Sequence, residues 1–267
     1  MKDKISVIMA EYNTNPNQLK KSINSILVQT YGNFELIIVD DMTSETNKKY
    51  LDNLKNQSSK IKILTNSRNK GLAASLNKAL DYATGDYIFR MDTDDIALPH
   101  RFETQLNTLR KGHSITTARV SIIDENDKTV GTTKCLPFYN LSKRILLYYF
   151  FNNGVIHPLI AAKKEVFDEF RYDEKIKYGQ DFELWLRMSK KYKIYFDSKI
   201  LLNYRIEKQL DKQKLLLQYI NFFVSAKKYK EKNILKKAGF YVSNRIRQNK
   251  LNKKFEIDLE KIKKQLY

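Results

Sequence analysis

Four short apolar runs punctuate the first hundred residues, at 5–9, 34–39, 60–64 and 87–91, and two of them stop on clustered carboxylates. Between them lie amphipathic stretches. Leu19, Ile23, Ile26 and Leu27 recur at helical spacing, a second helix follows the 34–39 run, and a third is predicted over 72–82. Short strands alternating with helices are the pattern of β-α-β units feeding a mostly parallel sheet. The 34–39 run is nearly continuous in apolar residues, as a strand covered on both faces requires. The expected fold class is α/β.

From about Arg101 the pattern becomes irregular. Strands are expected near 115–123 and 129–133, a helix near 142–150, an extended segment through 155–162 and another helix over 182–190. Beyond Ile206 the chain reads as helical and polar, with apolar patches at 215–224 and 234–242. A main domain over 1–206 with a basic helical extension over 207–267 is the expected organisation. There is no internal repeat.

A chain of 267 residues can bury a substantial core without covalent staples. Its single cysteine, Cys135, excludes an intramolecular disulfide and a zinc cluster, and is expected to be a small buried side chain in a reducing compartment. The opening MKDKISVIMAEYN holds too short an apolar run for a secretory signal. The longest apolar and aromatic run, 145–151, falls far below the roughly 20 residues of a spanning helix, so no membrane span is expected. Formal net charge is +19, and from Lys208 onward 17 Lys and Arg face five acids, a net +12. The attraction for anionic partners is therefore concentrated in the extension.

Three constellations can carry chemistry. The first is Tyr87-Ile88-Phe89-Arg90-Met91-Asp92-Thr93-Asp94-Asp95, an apolar strand running into three carboxylates at the end where ligands sit in open α/β sheets. Residues two apart in extended chain face the same side at roughly 6.5 Å, so Asp92 and Asp94 can flank one divalent ion. Hard oxygen ligands suit Mg2+ or Mn2+, and such an ion would neutralise a departing diphosphate. An Asp-x-Asp tripeptide by itself also occurs as a solvated turn before a helix.

The second is Ile37-Ile38-Val39-Asp40-Asp41, where an acid can accept hydrogen bonds from a base or ribose, or where Asp41 or Ser44 can cap the next helix. The third is Gly179-Gln180-Asp181-Phe182-Glu183-Leu184-Trp185. Asp181 falls at a helix start, where the dipole favours the ionised form that a general base needs, and where an N-cap is the competing role.

Other function classes fit less well. Ala10-Glu11-Tyr12-Asn13 stands where a dinucleotide-binding fold carries its glycines, and no Walker-A lysine loop occurs. A nucleic-acid binder would account for the charge, yet acids occupy the strand ends where it would need lysines, and it has no recognised motif here. A nucleotidyltransferase also uses paired acids and a metal, but its Gly-rich phosphate loop is missing.

Together these segments resemble the family of inverting glycosyltransferases numbered two, with the GT-A fold, over roughly residues 4–206. The resemblance runs through SVIMAEYN, SILVQTYGNFELIIVDDMTSE, NKGLAASLNKAL, GDYIFRMDTDDIALPHRFETQ, NNGVIHPLIAAKKEVF, QDFELWLRM and LNYRI in that order. It implies a nucleotide-sugar donor, a UDP-sugar in particular, with a hexosyl or N-acetylhexosaminyl group and a Mn2+ or Mg2+ cofactor. Tyr12 with the backbone of Ala10 and Glu11 would line the uracil pocket, Asp40 would accept from the base, and Arg68 would lie near the nucleotide. Asp92 and Thr93 would face the ribose side, Asp94 with Asp92 the metal, and Asp181 would be the catalytic base. Gln180 stands on the acceptor side, as does His157 unless it is a satisfied structural histidine, its competing role, while Trp185 and Arg187 read as packing and scaffold.

Three positions depart from the family. Gln180 replaces the usual Glu before the base, Glu207 stands where relatives carry a histidine after the Tyr204-Arg205 pair, and Glu11 replaces a small residue or proline. The family's surface-polysaccharide members further imply a lipid-linked glycan acceptor. The basic extension is then expected to dock at an anionic membrane face, placing the protein in the cytoplasm on the inner side of the plasma membrane. Self-association or contact with partner enzymes is the alternative use of that extension.

Overall fold

In the computed structural model, which describes residues 3–133 and 155–206 together with 221, 224, 225 and 228, one nine-stranded sheet runs through the molecule. Its first half is parallel. β1 (Ile5–Glu11), β2 (Phe34–Asp40), β3 (Ile61–Thr65) and β4 (Tyr87–Arg90) lie in the order β3-β2-β1-β4. α1 (Pro16–Leu27), α2 (Glu45–Lys55) and α3 (Leu72–Asp81) make the crossovers. The second half is mixed and contributes β5 (Ile96–Ala97), β6 (Ile115–Ile123), β7 (Thr129–Thr132), β8 (Ala161–Lys163) and β9 (Ile194–Arg205). Three helices accompany these strands: α4 (Arg101–Arg110), α5 (Lys164–Glu169) and α6 (Gln180–Met188).

The period of two along the central strands decides which core each side chain enters. Ile5, Val7, Met9, Leu36 and Ile38 pack on one side with Leu19 and Ile23 of α1, Leu51 of α2 and Phe102 of α4. Ile8, Ile37 and Val39 pack on the other with Leu76 of α3 and Phe182, Trp185 and Leu186 of α6. All seven residues of β2 are buried, as its apolar run predicts.

Boundaries moved for local reasons. α1 begins three residues before its first apolar position, because Asn15 Oδ1 accepts from the backbone of Asn17 (3.0 Å) and Gln18 (3.4 Å) and Pro16 opens the helix. The stretch after Arg101, expected to be irregular, is the regular helix α4. Arg101 and Gln105 are fully buried on its apolar side, which blurs the amphipathic pattern. The twelve-residue β9 was not expected as one strand, since the exposed or half-exposed Asp197-Ser198-Lys199 interrupts its apolar residues where the pairing with β6 shifts register. The extended segment at 155–162 contains a short 3-10 turn, His157–Leu159, before β8.

The helix expected at 142–150, Cys135 and Glu207 lie outside the described residues, as does the extension apart from its four isolated positions. No helix among the described residues is long and apolar enough to cross a membrane.

Candidate active site

Strand register builds the site. Glu11 pairs with Asp40, Asp40 with Thr65, and Ile8 with Arg90, so the carboxyl ends of β1, β2 and β4 share one edge of the sheet. Ligands bind outside that edge in open α/β folds.

At the end of β4 the chain leaves extended geometry and bends through Thr93 and Asp94. The bend draws in Asp95 as well as the expected pair. One carboxylate oxygen from each of Asp92, Asp94 and Asp95 lies within 4.8 Å of the others. Sequence reasoning counted Asp95 among the acids but gave it no role, because alternation in an extended strand would point it away. Several side chains hold the bend. Ser22 Oγ of α1 donates to the Asp92 carbonyl (2.7 Å), and Ser25 Oγ accepts from the Ala97 amide (3.0 Å). The Thr93 hydroxyl meets that of Thr14 at 2.6 Å, tying the acidic loop to the loop after β1.

Crowding makes these acids hard to ionise. Burial, and after it the charge of Asp92, pushes the Asp94 carboxyl up to about 6. Asp95 is raised well above the ordinary range by burial and then by Asp92 and Asp94, and its buried Oδ2 has no hydrogen-bond partner among the described residues. Clustered oxygens that repel one another, one of them unpartnered, are a donor set that fits a hard divalent cation such as Mg2+ or Mn2+. Asp92, Asp94 and Asp95 are the residues that could hold it.

Asp181 sits in the first turn of α6. Gly179, at φ 76, takes the N-cap position that competed for Asp181. Burial raises the Asp181 carboxyl above its ordinary value, the Phe182 amide and Arg90 pull it back, and Asp92 adds to the rise. Tyr204 is raised as well: burial lifts its hydroxyl, and Asp95, Asp92, Asp94 and Asp181 add to that.

His157 is half-buried beside this site, with Nε2 2.8 Å from the Tyr172 hydroxyl and its ring edge-on to Trp185 at 5.9 Å. Burial, with Arg90 contributing, holds it neutral. Reciprocal hydrogen bonds between the Asn77 amide and the Tyr172 backbone (3.0 Å each) fix the tyrosine in turn. Gln180 is buried, and its Oε1 has no hydrogen-bond partner among the described residues. Trp185 is core, and Arg187 binds Glu183 and the Arg171 carbonyl, so both are the scaffold expected of them.

The residues expected to meet the nucleotide occupy neighbouring loops. Ala10, the penultimate residue of β1, is half-buried, Tyr12 is 56% exposed, and Arg68 is exposed. Asp40 is buried, with Oδ1 accepting from the Thr43 amide at 2.8 Å. Ser44, rather than Asp41, caps α2. Asp41 instead clamps the loop that carries Arg68: it accepts from the amides of Lys70 (2.8 Å) and Gly71 (2.7 Å) and from the Asn66 side chain (2.7 Å).

The Glu11 side chain is a strut. Its Oε1 accepts from the Thr14 amide (3.0 Å), the Thr43 hydroxyl (2.8 Å) and Asn47 Nδ2 (2.9 Å), so this buried acid ties the loop after β1 to the start of α2.

The sequence profile of Glycosyl transferase family 2 matches residues 6–171, which stops short of Asp181. An uncharacterized glycosyltransferase of Methanocaldococcus jannaschii is 37% identical over 227 residues, 80% of this chain and 77% of that one. The UDP-Glc:alpha-D-GlcNAc-diphosphoundecaprenol beta-1,3-glucosyltransferase WfgD of Escherichia coli is 28% identical over 187 residues, 70% of each chain. Among solved structures, S. aureus TarS 1-349 in complex with UDP-GlcNAc superposes with a TM-score of 0.69 at 16% identity, covering 97% of this chain and 78% of that one. This chain spans 39% of another TarS crystal structure. A profile covering more than half of the sequence and a relative sharing 37% identity lead to one conclusion: the chain belongs to glycosyl transferase family 2.

Proposed function

We propose that this glycosyltransferase moves a hexosyl or N-acetylhexosaminyl group from a UDP-sugar to a hydroxyl of a lipid-linked surface glycan, with inversion at the sugar carbon. The observation that supports the reading is the cluster of the Asp92, Asp94 and Asp95 carboxylates at the carboxyl edge of the sheet. UDP-linked donors in the names of WfgD and of the TarS complex support the donor class, and the diphosphoundecaprenol acceptor in the name of WfgD supports the lipid-linked acceptor.

In this reading Asp181 takes the proton of the acceptor hydroxyl, whose oxygen attacks the anomeric carbon from the face opposite the diphosphate. The bond from that carbon to the diphosphate oxygen breaks as the new one forms, and nucleoside diphosphate leaves with the electron pair. No covalent enzyme intermediate is involved. Asp92, Asp94 and Asp95 would hold Mn2+ or Mg2+, which when bound supplies countercharge to the leaving diphosphate. Tyr12, Asp40 and Arg68 orient base and phosphate, with Ala10, Glu11 and Thr93 shaping the loops around them. The basic extension docks the protein on an anionic membrane face near the lipid-linked acceptor.

The test is a panel of nucleotide sugars with manganese or magnesium, read by thermal shift and product release. A UDP-sugar at about 100 times its dissociation constant should stabilise the protein by about 2.7 kcal/mol, with nucleoside diphosphate as the product. Release of pyrophosphate would instead assign nucleotidyl transfer.

A further inference from the structure

The loop from Arg171 to Gly179 leads into α6 and is held from two directions. On the α3 side, Arg171 pairs with Asp81 (2.9 Å), and Asn77 Nδ2 donates to the Glu174 carboxylate (2.9 Å) as well as to the Tyr172 carbonyl. These contacts reach as far as Glu174. Beyond it, Asn221 Nδ2 in the C-terminal extension donates to the Tyr178 carbonyl at 2.8 Å, across 43 residues of chain. Residues 221, 224, 225 and 228 are helical, a spacing that puts them on one face, and Ser225 on that face is buried. Lys228 adds an exposed pair with Asp173 at 4.0 Å, too weak to fix a loop.

A peptide unit is planar, so the bond that holds the Tyr178 carbonyl also holds the Gly179 amide. Gly179 sits at φ 76 and ψ 20, a left-handed turn that glycine enters and leaves freely, and it offers α6 no side-chain cap. Its own carbonyl accepts the first helical bond of α6, from the Glu183 amide at 3.2 Å. Asp181 lies inside that turn. We propose that Asn221 is a positioning residue: by pinning the Tyr178–Gly179 peptide it holds the first turn of α6, and the Asp181 carboxylate with it, so that the extension is part of the catalytic unit. The inference rests on reading Asp181 as the general base. It gives the extension a task that docking at a membrane does not require.

The experiment compares the full chain with Asn221→Asp, which keeps the side-chain shape but has no donor for a carbonyl, and with Asn221→Ala. Amide hydrogen exchange is read by mass spectrometry on peptides over 179–186 and over β1 and β2. Turnover is read as UDP released from UDP-N-acetylglucosamine and from UDP-glucose with manganese(II), water standing in for the acceptor. In both variants the 179–186 amides should exchange at least about tenfold faster while β1 and β2 stay parental, because the opening is local. The kcat of UDP release should fall about tenfold with KM within about twofold of the parent, since Asp181 is misplaced and the donor site is not. Lys228→Ala, which removes only the exposed pair, should match the parent. Parental exchange over 179–186 overturns the proposal. So does faster exchange throughout the molecule, the mark of a merely structural side chain, and so does local loosening with parental kcat. If the parent turns over neither sugar, the exchange result decides. Asp181→Asn in the same assay separates the two readings: parental UDP release there removes the base, while exchange in the Asn221 variants still reports whether Asn221 holds the turn.

Discussion

The backbone amide of Arg205 donates to Asp95 Oδ1 at 2.7 Å, joining the end of β9 to the acidic loop across 110 residues of chain. The Arg205 side chain extends the bond into a brace. Nε donates to the Asp94 carbonyl (2.8 Å), Nη1 to the Asp124 carbonyl (2.6 Å), and Nη2 pairs with Asp127, which also pairs with Lys21 of α1. Arg205→Ala should lower stability by about 2–4 kcal/mol in urea unfolding, because several bonds from a buried charge are lost together. It should also weaken manganese-dependent UDP binding. Lys21→Ala removes only the exposed arm and should cost less than about 1 kcal/mol. Equal effects from the two changes would contradict the brace.

Asp92 differs from its neighbours in what its removal leaves behind. Asp92→Ala strands the buried Arg90 and should destabilise the fold by about 3–5 kcal/mol. Asp94→Ala relieves repulsion within the cluster and should cost much less. Combining Arg90→Met with Asp92→Ala should recover most of the loss, which equilibrium unfolding of the four proteins will measure. Asp94 variants are accordingly the cleaner probe of cation binding.

Asp181→Asn should melt with the parent protein, bind UDP and manganese normally, and lose about 10²–10⁴-fold in transfer rate, as expected for a general base. A base must be ionised. Burial raises the Asp181 carboxyl above 3.8, so kcat/KM should fall as pH drops, on a limb centred above that value. Near-parental turnover by the asparagine variant removes Asp181 from the role.

Glu35, far from the acidic edge, sets an acid limit on stability. Burial alone would raise its carboxyl, but Ser6 Oγ (2.6 Å), the amide and hydroxyl of Thr84 (2.8 Å each) and Lys4 outweigh burial and hold it below the ordinary 4.5. A depressed folded value means the contribution is complete above about pH 4.5 and is lost as pH falls through the folded value. Glu35→Gln should therefore cost about 1–2 kcal/mol at pH 7, and the stability curves of the two proteins should converge in acid.

Much of the architecture was legible because its causes are local. Short apolar runs placed β1, β2 and β4, helical spacing placed α1, and acids following apolar runs marked the acidic edge of the sheet. Other features were hidden because buried polar side chains disguise periodicity. Arg101 and Gln105 masked α4, and the break at Asp197-Ser198-Lys199 masked β9.

The roles of individual acids were decided only in three dimensions. Asp40 and Asp41 are adjacent in sequence, yet one turns back to the Thr43 amide while the other clamps residues 66–71. A bend, not strand alternation, brings Asp95 to Asp92 and Asp94. Sequence by itself determined the strands and helices of the parallel half and which of its strand ends are acidic, since those follow from repeating local chemistry. Tertiary structure determined which carboxylates are tied up and which repel one another, because hydrogen bonds and charge act through space between residues that the chain keeps far apart.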